Sequence, residues 1–157
     1  MSVSAETVAN RFLQLALEEG RALSNMKLQK LVYIAQGFHL ALFSNGDPLI
    51  YSNVHAWEFG PVFPKLYNKL RKFGSGTITQ SLPVDGAEEL DSVGENVISG
   101  VWSAYKDKSA GTLSTLTHME GTPWSVTWDK ERFGVIPNDL IAIHYKEKIT
   151  DPGNGSC

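Results

Sequence analysis

Apolar positions along this chain recur mostly at helical spacing. Ser4 is a suitable N-cap for a first helix over Ala5 to Glu19, where Val8, Phe12, Leu15 and Ala16 fall on one face and Gly20 closes the segment. A second helix is expected from Met26 to Phe43, capped by Ser24 or Asn25. Leu28, Leu31, Val32, Ala35, Phe38 and Leu42 form its main stripe, while Tyr33, Ile34, Leu40 and Ala41 fill the other sides. A helix that is apolar all round belongs in the middle of its domain. Lys27 and Lys30 are expected to keep its N-terminal end near solvent. Cations there oppose the helix dipole, so another feature must make them tolerable.

The pattern then changes. The turn signal 44-SNGDP-48 precedes two short apolar stretches, Leu49 to Tyr51 and Val54 to Trp57, which read as extended segments of a small hairpin. Gly60-Pro61 is expected to break the strand. A third helix follows from Phe63 to Phe73, with Phe63, Leu66, Tyr67 and Leu70 on one side and Lys65, Lys69, Arg71 and Lys72 on the other. Residues 74–86 read as a loop with a brief strand near Thr77 to Gln80; the loop is too short to link independent cores. Further helices are expected over Ser92 to Asp107, Ser109 to Met119, a short turn from Pro123 to Trp128, and Asn138 to Lys148. The fold class is therefore predominantly α (α+β): one helical domain over 1–149 with a buried central helix and a small hairpin or short sheet, and a flexible tail over 150–157.

Composition narrows the classes. A 157-residue chain can bury a sizeable core without disulfides or metal. A net charge of -3 argues against a whole-protein electrostatic grip on nucleic acid. The longest uncharged apolar run, Leu31 to Phe43, is 13 residues, too short to span a bilayer. No secretory signal is visible at the N-terminus, and the single cysteine, Cys157, suits a reducing cytoplasm.

Catalytic chemistry is hard to place. His39, His55, His118 and His144 show no metal-ligand spacing, and Cys157 has no neighbour to act as its base. Phosphate loops and dinucleotide fingerprints are absent. The expectation is no catalytic residue, no cofactor and no metal; an enzyme built on His55 and Glu58 is the remote alternative. The segment 57-WEFGPVFPKLY-67 stands out instead. Its aromatics either pin a strand-to-helix corner onto the core or stay partly exposed as a partner surface, since Trp, Tyr and Arg dominate interface hot spots. The polar residues of 112-TLSTLTHMEGTPW-124 either coat a packed helix or hydrogen-bond a partner.

The ordered set KLQKLVYIAQGFHLA, HAWEFGPVFPKLYNKLRKFG, LSTLTHMEGTPW and VIPNDLIAIHYKEKI resembles the Panacea antitoxin domain, the family of SocA-like antitoxins and phage-associated GepA-like proteins. The likeness runs from about Met26 to Ile149. It implies a small, mostly helical cytoplasmic protein with no catalytic residues, which neutralises a protein toxin encoded by a neighbouring gene through direct binding. One route in the family delivers the toxin to a Clp-type protease. The partner-binding candidates are Lys27, Lys30, Trp57, Glu58 and Tyr67. The rival is a prophage-encoded regulator holding nucleic acid on the basic face Lys65 to Lys72; no membrane partner is expected.

Overall fold

The structure, a computed structural model, describes residues 2–43, 46–84, 86 and 88–150. Its elements run α1 (Ala5–Glu18), α2 (Asn25–Leu42), β1 (Val54–Trp57), β2 (Gly60–Val62), α3 (Pro64–Leu70) with a 3-10 turn at Arg71–Phe73, α4 (Ser92–Tyr105), α5 (Ala110–His118), α6 (Pro123–Lys130), β3 (Val135–Ile136) and α7 (Asn138–Thr150). The fold is predominantly α with a small three-stranded antiparallel sheet ordered β2-β1-β3. The tail expected over 150–157 lies, beyond Thr150, outside the described residues, as do Ser44 and Asn45 of the turn.

Side-chain caps set most helix starts. Ser4, Ser24, Asp91, Ser109 and Thr122 each accept a backbone N–H from the first turn of the helix they precede. Pro64 and Pro123 sit in the first turns of α3 and α6, where a missing N–H costs nothing.

Helix α2 is the axis of the molecule. It packs most extensively on α7, then on α5, α4 and α1, and also meets β2 and α3. Leu28, Leu31, Val32, Tyr33, Ile34 and Ala35 are buried. One polar residue joins this core with matched partners: Gln36 donates to the Ile50 carbonyl and accepts the Ile50 N–H, both at 3.0 Å. At the C-terminal end the enclosure stops, and Leu42 and Phe43 are exposed.

Four expectations need correction. Gly60-Pro61 does not break the strand; it is part of β2, paired with β1 in the register Trp57↔Gly60, Ala56↔Pro61 and His55↔Val62. Proline is tolerated because β2 is an edge strand. Leu49 to Tyr51 is not the other arm of the hairpin: Ile50 instead makes an isolated parallel bridge to Val3. The partner strand on the far side of β1 is Val135–Ile136, too short to show a period in sequence. The segment near Thr77 forms only an isolated bridge to Ser24. Finally, Lys30 is not near solvent but buried at 3% exposure.

Two substitutions test this packing. Val32 is fully buried, so Val32→Asp should cost about 3–5 kcal/mol by leaving an uncompensated charge in the core. Soluble Val32→Asp protein with near-native melting temperature would contradict the assignment. Gly37 presses its face against the Tyr145 ring of α7, and an added Cβ would overlap that ring. Gly37→Ala should therefore lower the melting temperature, because overpacking of about 1–3 kcal/mol outweighs the gain of up to about 1 kcal/mol in helix propensity. Thermal unfolding followed by circular dichroism reads both effects.

Candidate functional site: an aromatic groove over a buried lysine

The β1–β2 hairpin turns in two residues, Glu58 and Phe59, and closes on Gly60 at φ 122°. An L side chain resists that φ. A Cβ at Gly60 would also lie 2.5 Å from Lys30 Nζ. The backbone thus favours glycine here, and an added Cβ would also push the Lys30 ammonium from its place. Lys30 Nζ donates to the carbonyl of Phe59 at 3.2 Å and of Pro61 at 3.4 Å. No carboxylate stands within ion-pair distance of it among the described residues. Burial pushes its pKa down to about 8.

Lys30 forms part of the wall of a groove of about 660 Å³ between the start of α2, the hairpin and α3. Gln29, Met26, Trp57, Phe59, Tyr67 and Phe133 border the same space. Trp57 and Tyr67 meet edge to face at 5.1 Å. Phe59 is 71% exposed at the hairpin tip and Phe133 is 57% exposed. Phe133 holds φ 65°, a left-handed conformation that strains a non-glycine residue. Its neighbours hold it there: its N–H donates to Ala56 O at 2.9 Å, and its ring abuts Trp128 at 5.3 Å. Trp128 stacks on Trp124, whose indole N–H donates to the Trp57 carbonyl at 2.6 Å. One aromatic chain therefore runs behind the hairpin.

Four of the five residues singled out in sequence, Lys30, Trp57, Glu58 and Tyr67, converge on this groove. Lys27 is placed elsewhere. Its ammonium reaches the carbonyl of Lys106, the C-cap of α4, which also accepts from Arg21. A helix C-terminus is electronegative, and this answers how Lys27 is tolerated at the start of α2. Burial, then the Arg21 charge, lowers its pKa. Sequence reasoning missed Gln29, Met26 and Phe133. Phe133 carries no periodic signal in the sequence. Phe59 turned out to be exposed, whereas its neighbours Val62 and Phe63 are core residues.

The basic face is less free than its sequence implied. Lys69 pairs with the buried Glu6 at 3.1 Å and donates to Pro83 O. The polar residues of 112–124 are partly used inside the protein: Ser114 donates to Phe59 O at 3.4 Å, and Thr117 donates back to its own helix at Leu113 O. Among the described residues, no group of three or more His, Cys, Asp or Glu side chains could hold a metal ion. No described helix is long and apolar enough to cross a membrane.

Fold and site together define a small helical domain with an aromatic groove at the edge of a minor sheet. Residues 28–125 match the model of the family described as "Antitoxin SocA-like, Panacea domain". The chain is 32% identical over 134 residues to Antitoxin SocA of Caulobacter vibrioides (strain NA1000 / CB15N), covering 80% of this chain and 70% of that protein. This chain belongs to the SocA-like Panacea family of antitoxins. No solved structure matches it.

The buried lysine sets a pH dependence. Its pKa is about 8 folded against 10.5 for a free lysine. Between those values the unfolded chain holds the extra proton, so stability rises with pH across that window. Lys30→Met removes the titrating group. Wild type should therefore gain on Lys30→Met between pH 7 and pH 10, by on the order of 2–3 kcal/mol in urea unfolding. A difference that stays constant with pH would mean that Lys30 is not desolvated.

Proposed function

We propose that this chain neutralises a cognate protein toxin, encoded by a neighbouring gene, by binding it directly through the groove between α2 and the β1–β2 hairpin. The observation that carries the reading is the pair of exposed aromatics, Phe59 and Phe133, at the mouth of an apolar groove. Interfaces concentrate their energy in a few aromatic and charged anchors that become desolvated on binding. Trp57 and Tyr67 supply half-buried walls, Glu58 an exposed rim charge and Lys30 a buried one. Delivery of the toxin to a Clp-type protease would need the same contact, so the groove serves either route. Lys27 contributes by holding α4 against the start of α2. Residues 1–149 act as one non-enzymatic binding domain in the cytoplasm.

The test is rescue of cells expressing the neighbouring toxin, with melting temperature measured on the same variants. Phe59→Ala removes an exposed side chain and should leave stability close to wild type. It should weaken toxin binding by roughly thirtyfold, the effect of losing an anchor of about 2 kcal/mol. Tyr67→Ala should do the same, with a further loss of about 1 kcal/mol of stability from its edge contact with Trp57. Leu17→Ala, on the exposed side of α1, should rescue fully. Full rescue by both groove variants would move the binding surface elsewhere, and a wild-type protein that co-purifies with no toxin would remove the function itself.

A further inference from the structure

The groove carries more chemistry than an apolar anchor site requires. Lys30 has three N–H donors and its two recorded acceptors lie at 3.2 and 3.4 Å, the long end of hydrogen bonding. The preceding residue repeats the pattern. Gln29 is 3% exposed, and its Oε1 accepts the Phe63 N–H at 3.3 Å. That bond fixes the amide orientation, because a backbone N–H can meet only the oxygen. Gln29 Nε2 is left buried without a partner. A buried unpaired donor is costly, and two adjacent under-used donors on one groove wall call for an acceptor that is not part of the described chain.

We propose that the floor of the groove is a subsite for a single carboxylate carried by an apolar peptide segment of the protein partner, held by Lys30 Nζ and Gln29 Nε2. This assignment rests on the reading of the groove as the toxin-binding face and gives that face its chemistry. One buried cation matches one anion, and a carboxylate beside the Lys30 ammonium would raise its lowered pKa back toward that of a free lysine. A phosphate would bring a second charge and a third acceptor oxygen, with the exposed Glu58 carboxylate on the rim to oppose it. The walls above the floor are Trp57, Phe59, Val62 and Tyr67, which suit apolar side chains beside the carboxylate. Asn25 Oδ1, buried on the same side of the groove and also unpartnered, suits a backbone N–H of the same segment. A free anion would leave both the walls and Asn25 unused.

The probe is a pair of molecules, N-acetyl-leucyl-leucine and its C-terminal amide, titrated into the full chain at neutral pH while the Lys30 and Gln29 side-chain signals are followed by NMR. The acid should shift both signals and bind at least tenfold more tightly than the amide, and Lys30→Met should abolish that preference. Equal binding of acid and amide overturns the proposal, as does a response of the acid that leaves Lys30 unmoved. So does the absence of any response at roughly 20 mM acid, where even a millimolar site is nearly filled. Acetate binding as tightly as the dipeptide acid would assign the floor to free anions and overturn the peptide occupant. The comparison of acid with amide needs only wild-type protein, so it stands even if Lys30→Met folds poorly. Toxin rescue is scored separately with Phe59→Ala: lost preference with toxin binding still dependent on Phe59 sinks the carboxylate alone, and retained preference with toxin binding independent of Phe59 sinks the groove as the toxin face.

Discussion

Helix α2 is enclosed by α1, α4, α5, α7 and the hairpin, and the placement of everything else follows from covering it. Its last demand comes at its N-terminal half, where the apolar surface gives way to Lys30. An ammonium in that position must find acceptors close by. It finds them in the backbone of the hairpin turn, at Phe59 and Pro61. Those bonds hold the hairpin over α2, and a Cβ on the glycine between the two carbonyls would displace the ammonium. The groove exists because the hairpin is fixed at its tip rather than packed flat by a larger side chain. Stability and the candidate site thus share one contact.

Such an arrangement is unusual in its energetics. A buried cation without a carboxylate is destabilising on its own, and the two long carbonyl bonds offset that only in part. Gln29, one residue before, adds a second unmet need. Proteins commonly concentrate under-satisfied polar groups and strained backbone where a partner completes them. Phe133, held left-handed at the rim, belongs to the same picture. The groove thus brings under-used buried donors next to two exposed aromatics, Phe59 and Phe133.

Much of this was legible in the residues. The helices announced themselves through period and caps, and the uncharged run from Leu31 to Phe43 identified the central element, although its last two residues, Leu42 and Phe43, are exposed. The segment around Trp57 and Gly60 was recognisable as the unusual part of the chain. What could not be read was which side chains of that segment face outward. A two-residue turn followed by an edge strand places Phe59 in solvent and Val62 in the core, and no periodicity distinguishes them. The strand Val135–Ile136 was missed because two residues carry no period. Lys30 was misread for a related reason. Charge usually marks an exposed face, and only the tertiary position of the hairpin reveals that this one is covered.

The account depends most on the state of the Lys30 ammonium. A direct titration of its side-chain nitrogen by NMR, in the folded free protein, measures it. The buried, carboxylate-free environment gives a pKa of about 8. A value near the 10.5 of a free lysine would show the ammonium hydrated or paired with an acid, and would contradict the central contact between α2 and the hairpin.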